Sequence, residues 1–115
     1  MDPVELQVVA LAGAPYCVAS DDGQRVHGAV AEHLRAGRPV RLSFAGVEGL
    51  TSAFLNAAIG QLYGEFPPDR IRALLSVEGL GDADLLLLKR VVDRAKAYFA
   101  DRGQFEDAWA RADDQ

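Results

Sequence analysis

The stretch Val40-Arg41-Leu42-Ser43-Phe44-Ala45-Gly46-Val47-Glu48-Gly49-Leu50-Thr51-Ser52-Ala53-Phe54-Leu55-Asn56 constrains the fold more than any other part of the chain. Val40, Leu42 and Phe44 alternate with Arg41 and Ser43, the period-two pattern of a strand with one buried face. Gly46 and Gly49 punctuate a short connection. Thr51 and Ser52 then stand where a helix N-cap is wanted, directly ahead of an apolar-periodic run. The unit is therefore strand, turn, hydroxyl pair, helix. It aims two hydroxyls and several free backbone N–H groups at solvent from the end of a sheet.

The flanking segments read as the rest of a small α/β layer. Val4 to Leu11 is expected as a strand, Gly13-Ala14-Pro15 as a turn, and Tyr16 to Ala19 as a second short strand. Ser20-Asp21-Asp22-Gly23 supplies cap candidates for a helix to about Ala36, closed by Gly37, with Val26, Ala29, Val30, His33 and Leu34 inward. Ser52 to about Gly64 forms the next helix, broken by Phe66-Pro67-Pro68-Asp69. Ile71 to Val77 alternates as a strand. Asp82 or Asp84 opens the last long helix, which runs to about Phe99 with Leu85, Leu88, Val91, Val92, Ala95 and Phe99 as its core stripe. Residues 1–103 are expected to form one domain. Gln104 to Ala112 would add a short terminal helix docked through Phe105 and Trp109, ending in a polar tail. This alternation predicts an α/β fold with a mixed sheet of about four strands and three main helices.

Charge and cysteine content narrow the function classes. Asp and Glu number 17 against 12 Lys and Arg, for a net charge of −5, and no basic cluster is present. Non-specific nucleic-acid binding needs phosphate-neutralising cations, so the balance argues against it. Cys17 is the single cysteine, which excludes an internal disulfide and fits a reducing compartment. Its neighbours Tyr16, Val18 and Ala19 point to a buried, structural role. The Met-Asp-Pro start lacks a basic leader and the longest apolar run, Leu85 to Leu88, is too short to span a bilayer, so a cytoplasmic location is expected.

Catalytic and cofactor motifs fail in turn. Gly46 to Ser52 has no Gly-Lys-Ser/Thr of a phosphate loop, and no Gly-x-Gly-x-x-Gly or Gly-x-Ser-x-Gly occurs. His27 and His33 have no Cys or carboxylate at ligand spacing, so neither metal nor cofactor is expected, and no residue is assigned a catalytic role. The informative feature is instead a helix face. Leu55, Ala58, Ile59 and Leu62 form the buried stripe of the Ser52–Gly64 helix, whereas Ala53, Ala57, Gly60 and Gly64 lie opposite with Asn56 and Gln61 beside them. No charged residue occurs between Gly49 and Gly64, although exposed helix faces normally carry Lys, Glu or Arg. Either another element of the domain packs closely on these small residues, or the face docks a partner. On the second reading Gly49, Ala53, Asn56, Ala57, Gly60 and Gln61 contact that partner, and charge at Ala57 or Gly60 leaves the domain folded. One hydroxyl of Thr51 and Ser52 suffices as a cap, and the other is a candidate phosphorylation switch.

Leu42-Ser43-Phe44-Ala45-Gly46-Val47-Glu48-Gly49-Leu50-Thr51-Ser52-Ala53-Phe54 resembles the central segment of STAS domains, the fold of bacterial anti-sigma factor antagonists. It is most similar to the STAS-like family whose members carry an Ile-Ser-Ser-Ser-Phe type of turn, here Leu50-Thr51-Ser52-Ala53-Phe54. The resemblance implies a non-enzymatic partner-switching module whose partner is an anti-sigma factor or histidine-kinase-type ATPase. Ser52 falls on the serine phosphorylated in the antagonists and Thr51 on the preceding Asp. Thr51 is not acidic, Ala53 replaces a hydroxyl and Phe54 replaces a glycine, so the kinase-recognition motif is altered. Two other roles fit the same fold: a STAS subunit of a transporter ATPase complex, and a small-ligand-binding or enzymatic domain using the crevice at the strand ends.

Overall fold

Strand β3 (Val40–Ser43) lies at the centre of a three-stranded, wholly parallel sheet, with β1 (Val4–Gln7) on one side and β5 (Leu75–Glu78) on the other. The computed structural model describes residues 2–113, and their side chains as far as residue 100. In register, Val4, Val40 and Leu75 form one row across the strands, and Leu6, Leu42 and Val77 form a second on the same face. Glu5, Arg41 and Ser76 form the row between them, and all three are exposed. The sheet is therefore covered on one face only, which is uncommon for parallel strands. Chain order explains it. The path β1 to β3 to β5 steps twice in the same direction, so right-handed crossovers put every connecting helix on the same side.

Those connections are α1 (Val8–Ala12), β2 (Tyr16–Cys17) and α2 (Ser20–Arg35) before β3. After it come β4 (Gly49–Leu50), α3 (Ser52–Ala58), a 3-10 turn over Gly60–Gly64, and α4 (Pro68–Leu74). Helix α5 (Asp82–Asp113) follows β5. Strands β2 and β4 pair parallel to each other as a separate two-stranded sheet.

Among the described residues, the expected mixed sheet is thus replaced by two parallel ones, and three main helices by five. The Val4–Leu11 strand is cut short because Val8-Val9-Ala10-Leu11 has no polar alternation. The run coils into α1, and Gly13 closes it in the left-handed conformation (φ 81°), donating to Val9 O. Arg25 reaches back from α2 and donates to the carbonyls of Leu11 (3.2 Å) and Ala12 (2.8 Å), which the helix end leaves open. Similarly, Pro67-Pro68 starts a helix: Pro68 sits in the first turn, where its missing N–H costs nothing. Ile71 is accordingly a buried helix residue and not a strand residue. The expected separate helix from Gln104 to Ala112 is the continuation of α5, and the side chains of Phe105 and Trp109 lie outside the described residues. On α5 the buried stripe begins one turn later than expected, at Leu88; Leu85 is 45% exposed.

Helices α2 and α3 pack closely, and the approach is set by Gly23. A Cβ built there would lie 2.5 Å from Phe54 O and 2.9 Å from Ala57 Cβ. Val26, Val30, Leu34, Phe54 and Leu55 fill the contact and are fully buried, each contributing about 1.5–3 kcal/mol by apolar burial. Cys17 is buried beside this layer, as its neighbours suggested. Burial pushes its thiol above the ordinary range, and Asp22 pushes it the same way.

Gly23→Ala forces α2 away from α3 and should cost about 1–3 kcal/mol in urea denaturation. Gly28→Ala on the same helix meets nothing within 4 Å and should stabilise by up to about 1 kcal/mol through helix propensity. Equal effects of the two would contradict this packing. Cys17 should resist alkylation in the native state and react rapidly in urea. Because the unfolded chain releases the thiol proton at lower pH, this group's contribution is full below the ordinary thiol range and lost as pH rises through the raised value. Cys17→Ala should flatten the alkaline fall in urea midpoint.

Candidate functional site

Thr51 is the N-cap of α3, with extended backbone (φ −120°, ψ 159°). Its hydroxyl does two jobs. It accepts from Phe54 N at 3.2 Å, closing the first turn, and donates to Val18 O at 2.7 Å. Its backbone N also donates to Cys17 O at 3.1 Å. The helix start is thereby fastened to β2 through its main chain and to the residue following β2 through its side chain. Ser52 is the first helical residue; it is exposed, and among the described residues none hydrogen-bonds its hydroxyl. One of the two hydroxyls is therefore committed to structure and the other is open.

The small-residue face divides in a way that patterning alone does not reveal. Ala57 is buried under Gly23 of α2, and Gly60 is buried where an added Cβ would lie 2.6 Å from Asn56 Oδ1 and 3.5 Å from Ala95 Cβ of α5. Gly64 is exposed, with the Phe99 ring of α5 lying 2.6 Å from where its Cβ would be. Ala57 and Gly60 are buried packing positions, so a charged side chain there would be buried against α2 or α5 and should destabilise the domain, contrary to the expectation from sequence. Gly60 and Gly64 also explain why α3 tightens into a 3-10 turn after Ala58, since glycine weakly supports helix. Gly49 is half-buried beneath the Tyr16 ring, 3.1 Å from where its Cβ would be.

Ser52, Ala53, Asn56 and Gln61 remain exposed and converge. They form one wall of a groove of about 550 Å³ between α3 and α5, whose other wall is Val91, Arg94, Ala95, Tyr98 and Phe99. Tyr98 is 59% exposed, with its ring edge-on to Phe99 at 5.0 Å. Sequence reasoning missed Arg94 and Tyr98. Tyr98 sits at the flank of the α5 stripe, where helical spacing alone does not say which neighbour it meets. Beyond the groove, Glu65 is held by Arg35 (2.7 Å) and lies 3.3 Å from His27, tying α2 to the segment after the 3-10 turn. Surface pairs of this kind add little stability.

Fold and site together define a class: a two-layer α/β domain with parallel strands, organised on a strand–turn–capped-helix unit whose neutral outer edge opens onto a groove walled on its far side by α5. The chain belongs to the family described as STAS-like domain of unknown function (DUF4325), whose family model matches residues 22–85. That span runs from the first turn of α2 through β3, β4, α3, α4 and β5 to the first turn of α5. Comparison with curated proteins and with solved structures finds no match. Among the described residues, no helix is long and apolar enough to cross a membrane.

Thr51→Ala removes the cap and the tie to Val18 together and should cost about 1–2 kcal/mol in chemical denaturation. Thr51→Ser should recover most of that loss. Ser52→Ala, one position on, should change stability by less than about 0.5 kcal/mol. Equal losses at the two positions would mean the cap is misassigned.

Proposed function

We propose that this domain is a non-enzymatic interaction module that captures a protein partner on the groove between α3 and α5. By family resemblance, an anti-sigma factor or a histidine-kinase-type ATPase is the partner class. The observation that carries the reading is the row Ser52, Ala53, Asn56 and Gln61. These residues are neutral and exposed, on a helix without one charged side chain, facing an exposed tyrosine across a groove. Water-facing helix surfaces ordinarily carry charge, and neutral patches with an aromatic wall suit protein contact. The open Ser52 hydroxyl supports control of docking by a charge added at its rim, because a phosphoryl group there would have to be desolvated under a bound partner.

The test is affinity purification from the source cells with the wild type and with Ala53→Arg, whose exposed position keeps the fold intact by circular dichroism. An ATPase or anti-sigma protein should be enriched by the wild type and lost with the variant. Ser52→Asp should weaken the recovered complex by roughly tenfold or more. An identical protein set with all three forms would remove the reading.

A further inference from the structure

The covered face of the sheet is not sealed at β5. Val40 and Leu42 of β3 are buried, yet Leu75 and Val77, their partners in register on β5, are only half-buried. The chain path gives the reason. Helix α4 passes into β5 with no intervening residue, so it meets the strand at its start and leaves the remainder to α5. Helix α5 is in turn seated toward α3, with Ala95 against Gly60 and Phe99 against Gly64. A pocket of about 190 Å³ is left over β5 between α4 and α5. Ile59, Ile71 and Leu88, all buried, form its floor, and Leu75, Val77 and Val92 form its walls. It lies across α5 from the groove described above, and the two have no lining residue in common.

An apolar hollow ordinarily closes or fills with side chains, because apolar surface left in water forfeits the gain of burial. The rim here is instead cationic. Arg72 of α4 and Lys96 of α5 both line the pocket, and among the described residues neither forms an ion pair. Two unpaired cations at one opening run against the net charge of −5. Tyr63 completes the rim. The Lys96 ammonium lies 5.8 Å from the centre of the Tyr63 ring, a contact that leaves its N–H donors available. Burial holds the Tyr63 phenol above its ordinary range; Arg72 acts on it in the opposite sense, and Asp93 acts less strongly in the same sense as burial. The phenol is therefore a neutral donor, and at this opening the cation outweighs the carboxylate.

Size limits the occupant. Pockets for drug-sized ligands run to about 300–1,000 Å³, whereas a cavity of about 150 Å³ takes benzene. The pocket over β5 has no room for a nucleotide and suits an apolar body of roughly five to eight carbons. The geometry points to a binding site for a small amphiphilic monocarboxylate, whose hydrocarbon or aromatic body lies on Leu75, Val77 and Val92 while its carboxylate is met by Arg72, Lys96 and the Tyr63 hydroxyl. The planar donor pair of an arginine matches the two oxygens of a carboxylate, and charge-assisted hydrogen bonds are the strong ones. This site is separate from partner capture on the groove, and neither depends on the other.

The test is titration of the isotope-labelled full chain with hexanoate and with phenylacetate, followed at the backbone amides of Leu75, Val77 and Val92. Both acids should shift these signals saturably, with a Kd in the millimolar range or tighter. Hexanol, which has the body without the charge, and acetate, which has the charge without the body, should each bind roughly tenfold more weakly or worse. Arg72→Gln combined with Lys96→Gln changes only the rim, should keep the fold by circular dichroism, and should weaken hexanoate by a similar factor. Val92→Phe should fill the pocket and abolish the shifts. Ala53→Arg, on the far side of α5, should leave hexanoate affinity unchanged while removing partner capture, so the two readings fail separately. Hexanol binding as tightly as hexanoate, or hexanoate binding indifferent to the double change at the rim, would mean that Arg72 and Lys96 only cover apolar surface, and overturns the inference. The absence of saturable shifts at these amides, or their loss with Ala53→Arg, does so too.

Discussion

Everything in this domain depends on β3 being hydrogen-bonded on both sides by parallel partners. Parallel pairing forbids a tight hairpin, so the chain must leave the sheet after β1 and after β3 and return over its face. Because both excursions run the same way, both deposit their helices on one layer. Crowding follows. Helices α2, α3 and α5 share a single side of three short strands, and close contact between them is achieved with Gly23, Ala57, Gly60 and Ala95 instead of with larger side chains. The small residues of α3 are thus the counterpart of a sheet covered on one face.

This crowding also shapes the site. Helix α3 buries Phe54, Leu55 and Ala58 toward the core and gives Ala57 to α2, which leaves only a narrow outer edge. Thr51 fixes where that edge begins, since its hydroxyl is bonded to both Phe54 N and Val18 O. Ser52, Ala53 and Asn56 then follow on a helix whose position is determined at both ends. A surface on so short a helix is kept in place by the neighbours that bury its remaining sides.

What could be read from residues alone was whatever carried a clean period. The alternation of Val40, Leu42 and Phe44 located β3, and the same alternation already placed Arg41 on an uncovered face. The stripe Leu55, Ala58, Ile59 and Leu62 is buried as spacing required. Failures came where the period was absent or overruled. Val8 to Leu11 is apolar throughout and suits strand or helix equally, and the prolines before α4 mark a helix start as readily as a break. The sharpest ambiguity was the neutral face of α3. Alanine and glycine look alike whether they adjoin a partner or a neighbouring helix, and only the positions of Gly23 and Ala95 separate Ala57 and Gly60 from Ala53 and Asn56. Tyr98 and Arg94 were invisible for a related reason: they lie far from α3 in sequence.

The sheet has one further consequence. Its outer strands, β1 and β5, have four residues each, Pro3 precedes β1, and the water-facing side carries Glu5 and Glu78. Short margins bearing like charge resist strand-to-strand annealing between molecules, which is how open sheets avoid polymerising into ribbons. That guarded border leaves the helical layer as the side of the molecule better suited to contact.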